Sequence, residues 1–94
     1  GGDLAGIVLN GFAYSNGEVT FDATPGSNPL GSYTITVSYS GGKSPVVLDG
    51  TINNGTNTVK INDTTNISSL TILISDSKNE TQDSREISVG SVTN

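Results

Sequence analysis

Polar and apolar residues alternate one by one along most of this chain, and no other feature constrains its fold as strongly. The stretch "SYTITVSYS" puts Tyr33, Ile35, Val37 and Tyr39 on one side and Thr34, Thr36 and Ser38 on the other. "LTILISD" follows the same rule, with Leu70, Ile72 and Ile74 against Thr71, Leu73 and Ser75. A repeat of two is the side-chain pitch of a half-buried strand, whereas a helix needs apolar residues at spacings of three and four. In "EVTFDA", Val19, Phe21 and Ala23 oppose Glu18, Thr20 and Asp22; in "TVKIN", Val59 and Ile61 oppose Lys60; near the end, Ile87 and Val89 oppose Glu86 and Ser88.

In the first run, "IVLNGFAY", the alternation breaks: Ile7 and Leu9 share one face while Val8, Phe12 and Tyr14 share the other. Gly11 therefore marks a bulge or a change of sheet. Turn signals separate the runs: "SNG" as a three-residue turn with Gly17 at positive φ, then "TPGSNPLG", "GGK" and "NNGTN". "SPVVLDGTIN" opens on Pro45, which suits an edge strand. Ile67, in the crossing "DTTNISS", is placed to plug one end of the core. Seven short strands about ten residues apart predict an all-β, antiparallel β-sandwich with polar outer faces, with a small barrel as the rival architecture.

The 94 residues make a single domain, 1–94, expected to be a module of a longer protein because "GGDLAG" and "SVTN" read as module edges. There is no cysteine to staple the small core and no histidine to serve as a general base. The basic residues are Lys43, Lys60, Lys78 and Arg85, and the net charge is −5. That balance argues against nucleic acid or an anionic membrane surface as a partner, since both require Lys and Arg to displace counterions. No run approaches the ~18 apolar residues of a membrane-spanning helix. Abundant Ser, Thr, Asn and Gly disfavour helix interiors and, by compositional association, point to an extracellular or cell-surface location.

These strands, with "SYTITVSYSGG" third and "LTILISDSKNETQDSREISV" as the closing hairpin, resemble the immunoglobulin-like sandwich repeats of microbial surface proteins. Fibronectin type III-like, PKD-like and bacterial Ig-like modules share that ending. Here it is carried by Leu70, Ile72, Ile74, Asp76 and Ile87–Val89. The chain lacks the tryptophan of many fibronectin-type modules and the Cys–Trp–Cys framework of antibody domains. The resemblance implies a non-catalytic spacer, stalk or adhesion and assembly unit, partnered by neighbouring domains or a surface protein. Two other readings stand beside it. One is a carbohydrate- or protein-binding accessory module that uses the loops at one end. The other is a filament or viral-particle subunit in which "GGDLAGIVLN" is exchanged between neighbours as a donor strand.

An Ig-like topology places the loop after the second strand beside the loop of the closing hairpin. That predicts Asp22 and Asn28 near Asp76, Glu80 and Asp83, an oxygen-rich cluster that would suit calcium. Lys78 and Arg85 lie in the same hairpin, and no D-x-D-x-D-G run is present, so the opposing reading is a loop whose Asp and Asn residues shape turns. For a ligand or partner, Tyr14, Asn28 and Lys78 are the loop-side candidates; Tyr14 is the tyrosine out of phase with the core. Sequons stand at Asn54, Asn62, Asn66 and Asn79, although about two or three such triplets arise by chance in a chain this rich in Ser and Thr. An isopeptide crosslink would need an inward lysine, and Lys60 points outward by phase. Without His or Cys, nucleophile–base pairs such as Ser–His or Cys–His cannot form, and the chain reads as no enzyme.

Overall fold

The structure, a computed structural model, describes residues 3–89. The "SVTN" edge lies outside the described residues. Seven strands form: β1 (Val8–Ser15), β2 (Glu18–Thr24), β3 (Leu30–Tyr39), β4 (Val46–Thr51), β5 (Thr56–Lys60), β6 (Ile67–Asp76) and β7 (Gln82–Ser88). They make an all-β sandwich of two antiparallel sheets, a three-stranded one in the order β1-β2-β5 and a four-stranded one in the order β4-β3-β6-β7.

The alternation places the core as read. Val19 and Phe21 from one sheet meet Ile35, Val37, Leu70, Ile72 and Ile74 from the other, all of them buried, and Ile67 closes one end. The Phe21 and Tyr33 rings meet edge to face across the sheets at 5.5 Å, a preferred arrangement of aromatic quadrupoles. Tyr33 pairs in register with Gly50, and a Cβ there would sit 2.6 Å from the tyrosine oxygen. The bare glycine thus leaves room for the ring. β4 is an edge strand, as Pro45 suggested.

Four local expectations need correction. In β1 the register slips between Asn10 and Ala13, with Gly11 at φ 63°. This bulge rotates Phe12 and Tyr14 onto the side of Leu9, so Leu9 and Phe12 are buried, Tyr14 packs against the core and Val8 is exposed. Tyr14 is therefore not an outward-facing loop aromatic. The first turn has two residues rather than three, because Ser15 pairs with Glu18 while Asn16 and Gly17 both take positive φ. That is the turn whose twist matches a hairpin, and Asn-Gly suits it. Leu30 and Gly31, read as loop, open β3 instead. Ser75 has the outward phase yet is buried, at the register irregularity where Gly31 presses on the Ser75–Asp76 backbone.

Candidate functional site

The loops β2–β3 and β6–β7, the turn between β4 and β5, and the segment before β1 all gather at one pole. Backbone hydrogen bonds tie them together: Ser27 N–H to Ala5 O (3.0 Å), Ser77 N–H to Pro29 O (2.9 Å) and Ile52 N–H to Gly31 O (2.9 Å). This is the loop end that the sequence singled out, and its organising residue is Asp76.

Asp76 continues the phase of Leu70, Ile72 and Ile74, so its side chain turns inward and is only 2% exposed. Its Oδ1 accepts the N–H groups of Lys78 (2.8 Å) and Glu80 (3.1 Å). Its Oδ2 accepts the Thr81 N–H (2.8 Å), the Thr81 hydroxyl (2.7 Å) and the Asn28 amide (3.2 Å). Asn79, at φ 56°, lets the loop curl around the carboxylate. Burial pushes the Asp76 pKa up and is the largest single influence on it. The Thr81 hydroxyl, the Glu80 N–H, the Asn28 amide and the Lys78 N–H together outweigh that influence and hold the carboxyl well below the usual range. The result is a carboxylate held ionised at neutral pH, which serves as the internal template of the hairpin loop.

The other predicted residues fall into place around it. Asn28 is buried, and its amide donates both to Asp76 and to Glu80 Oε1 (2.9 Å), so the β2–β3 loop is pinned to the β6–β7 loop as expected. Lys78 contributes its backbone N–H, and its side chain is exposed. Asp83 lies in β7, where Oδ2 accepts the Leu9 N–H (2.8 Å) and Oδ1 accepts the Ser84 N–H (2.9 Å). Asp22 is not part of the cluster. It lies exposed in β2, in register with Asn10 and Thr56.

The four carboxylates proposed for calcium thus do not converge. Among the described residues no group of three or more acidic side chains is arranged to hold a metal ion. The lone pairs of Asp76 that would face an ion are already occupied by N–H and O–H donors, the arrangement of a turn-forming aspartate.

Sequence reasoning missed what Thr81, Asp83 and Arg85 do. Thr81 Oγ1 accepts the Ile7 N–H (3.0 Å) while donating to Asp76, and Arg85 Nη2 reaches the Leu9 carbonyl (3.4 Å). The signal was present: running the phase of Ile87 and Val89 backwards puts Arg85, Asp83 and Thr81 on the inward face. A second overlooked residue is Asn57, buried in β5, which accepts the Asn53 N–H (2.8 Å) and donates to the Asn53 (3.0 Å) and Gly55 (3.3 Å) carbonyls. It fixes the β4–β5 turn. Between that turn and the β2–β3 loop lies an open groove of about 410 Å³, lined by Pro25, Pro29, Leu30, Ile52, Asn53 and Asn54.

The far pole is held differently. Lys43 Nζ pairs with Asp63 (2.9 Å), lies 4.3 Å from the centre of the Tyr39 ring and donates to the Thr65 carbonyl (3.0 Å). Its hydrogen bond and the Thr65 N–H lower the Asp63 pKa. The sequon asparagines Asn54, Asn62, Asn66 and Asn79 are all exposed in loops.

Comparisons against protein-family models, curated proteins and solved structures find no match to this chain.

Proposed function

We propose that this chain is a non-catalytic, Ig-like module of an extracellular or cell-surface microbial protein, acting as a strut that spaces or assembles other domains. The observation that carries this reading is the path of the chain. Ala5 is bound to the β2–β3 loop at one pole, and Val89 N–H bonds Ser68 O (2.9 Å) at the start of β6, at the other. The body between them is elongated, with principal extents of 52 × 22 × 20 Å. A unit entered at one end and left at the other adds length along a chain of domains.

The polar groups support the same reading. Every buried side-chain nitrogen and oxygen among the described residues has a partner, so the inward polar residues are engaged in holding the fold. Within the Ig-like resemblance, β4 pairs with β3 and not with the β1-β2-β5 sheet. A constant-type antibody domain puts its fourth strand on the opposite sheet, so the fibronectin-like side of the resemblance is favoured.

Two measurements test the strut. Sedimentation velocity should show a monomer over a wide concentration range, and scattering from two copies joined end to end should show one long rod. Concentration-dependent oligomers, or a folded-back dimer of copies, would sink it.

The runner-up is a ligand-binding module, and the groove beside Pro29 and Asn54 favours it over the Tyr14 face. Chemical-shift changes confined to Leu30, Ile52 and Asn53 during titration with neutral oligosaccharides would support it. The strand-exchange reading would require β1 to leave both its ladder with β2 and its contacts with β7. Oligomers that vanish when residues 1–13 are deleted would revive it.

A further inference from the structure

β1 and β7 are edge strands of different sheets, and no backbone ladder joins them. Side chains do the joining. Thr81, Asp83 and Arg85 project at every second position toward the segment Ile7–Leu9. There they take the Ile7 N–H (3.0 Å), the Leu9 N–H (2.8 Å) and the Leu9 carbonyl (3.4 Å). Rising numbers on one segment meet rising numbers on the other, so the two run in the same direction. Equal spacing of extended chains keeps the contacts in step.

This geometry decides how the molecule meets a pull. The chain enters beside the β2–β3 loop and passes Val89 at the far pole. Tension applied through both ends draws β1 one way and β7 the other, parallel to their axes. The cross-strand bonds are then strained together in shear, not one after another. The bulge at Gly11 interrupts the ladder between β1 and β2, so the gripped half of β1 has only the pairs Val8↔Thr24, Leu9↔Ala23 and Asn10↔Asp22 within its own sheet. Across the sandwich, the side-chain contacts are what supplement them.

We infer that Thr81, Asp83 and Arg85 form a side-chain latch that sets the resistance of this domain to end-to-end force. Because the latch consists of side chains, it can be weakened without altering any backbone ladder. Its physiological use rests on the strut reading, but its existence is measured independently of that reading.

The test is single-molecule force spectroscopy on the full chain held at its two ends, comparing the wild type with Asp83→Ala, Thr81→Val and Ile72→Val. Ile72 lies buried in the core on β6; its register neighbour on β7 is Arg85, but its apolar side chain takes part in none of the latch hydrogen bonds. Forced unfolding reports the unfolding barrier and not the equilibrium stability. Asp83→Ala and Thr81→Val should therefore shorten the lifetime under constant force by about tenfold or more, beyond what their urea midpoints predict from Ile72→Val. Asp83→Asn retains an acceptor oxygen for the Leu9 N–H and should recover most of the lifetime.

If Thr81→Val does not fold, because Asp76 has lost its hydroxyl donor, the Asp83 pair decides alone. Lifetimes of Asp83→Ala no shorter than those of Ile72→Val at equal equilibrium cost would overturn the inference. A ligand or an oligomer found for the wild type would overturn the strut and leave the force result standing.

Discussion

Gly31 offers the sharpest test of how the loop pole is built. It opens β3 beside the end of β6, and a Cβ placed on it would lie 2.5 Å from the carbonyl carbon and oxygen of Asp76 and from the Ser75 oxygen. Those are backbone atoms, which cannot rotate away as the tip of a side chain can. To restore ordinary contact, the strands must separate there by roughly 0.9 Å, enough to forfeit much of the local dispersion energy. The hydrogen bonds at risk are Ile52 N–H to Gly31 O and Ser77 N–H to Pro29 O, both 2.9 Å.

Overpacking of this kind costs about 1–3 kcal/mol, and each backbone bond weakened adds about 0.5–1.5 kcal/mol. Gly31→Ala should therefore lose about 2–6 kcal/mol, against a total of about 5–14 kcal/mol for a chain of this length. With no tryptophan in the chain, urea unfolding is best followed by far-UV circular dichroism. At a slope of about 1 kcal/mol per molar urea, the midpoint should fall by roughly 2 M or more.

The control is Gly6→Ala. A Cβ there meets only Thr81 Cβ at an ordinary 3.7 Å, and Gly6 has no positive φ. Its midpoint should hold steady or rise, because alanine restricts the unfolded chain. If Gly31→Ala lies within about 0.5 kcal/mol of the wild type, or if Gly6→Ala costs as much, the steric account of this corner is wrong.

Asp76 makes the fold acid-sensitive in a defined direction. Its folded pKa is lowered below the 3.8 of the free group, so the unfolded state binds more protons as the pH drops. Its contribution is complete above that value and is lost as the pH falls below it. Asp76→Asn should start less stable at neutral pH and show a flatter acid-unfolding curve. A variant that tracks the wild type through pH 4 to 2 would refute this. Asn57→Ala should cost about 1–3 kcal/mol and speed hydrogen exchange of the Asn53 amide, whose acceptor is removed. Gly17→Ala forces a side chain into φ 80° and should cost about 1–2 kcal/mol by urea unfolding. Millimolar calcium should leave the melting temperature unchanged, since binding to the folded form alone would raise it; a rise abolished in Asp76→Asn would restore the metal reading.

The alternation of residues was enough to predict the class of fold, the number of strands and the identity of the core, because burying one face of a sheet demands a period of two. Thus Val19, Phe21, Ile35, Val37, Leu70, Ile72 and Ile74 could be named from the sequence. Carried past the apolar residues, the same period also puts Asp76, Asp83 and Arg85 on the inward face, a signal that the loop reading of this hairpin overlooked. Chain order cannot show what lies opposite an inward polar residue, and that was decided in three dimensions. The segment before β1 brings Ile7 and Leu9 against β7, where their N–H groups meet Thr81 and Asp83. The β2–β3 loop brings Asn28 onto Asp76. The bulge at Gly11 was legible as an irregularity, yet only pairing with β2 determined that it turns Phe12 and Tyr14 inward. Local pattern fixes which side a residue faces; the partner that satisfies it comes from far along the chain, and only packing brings the two together.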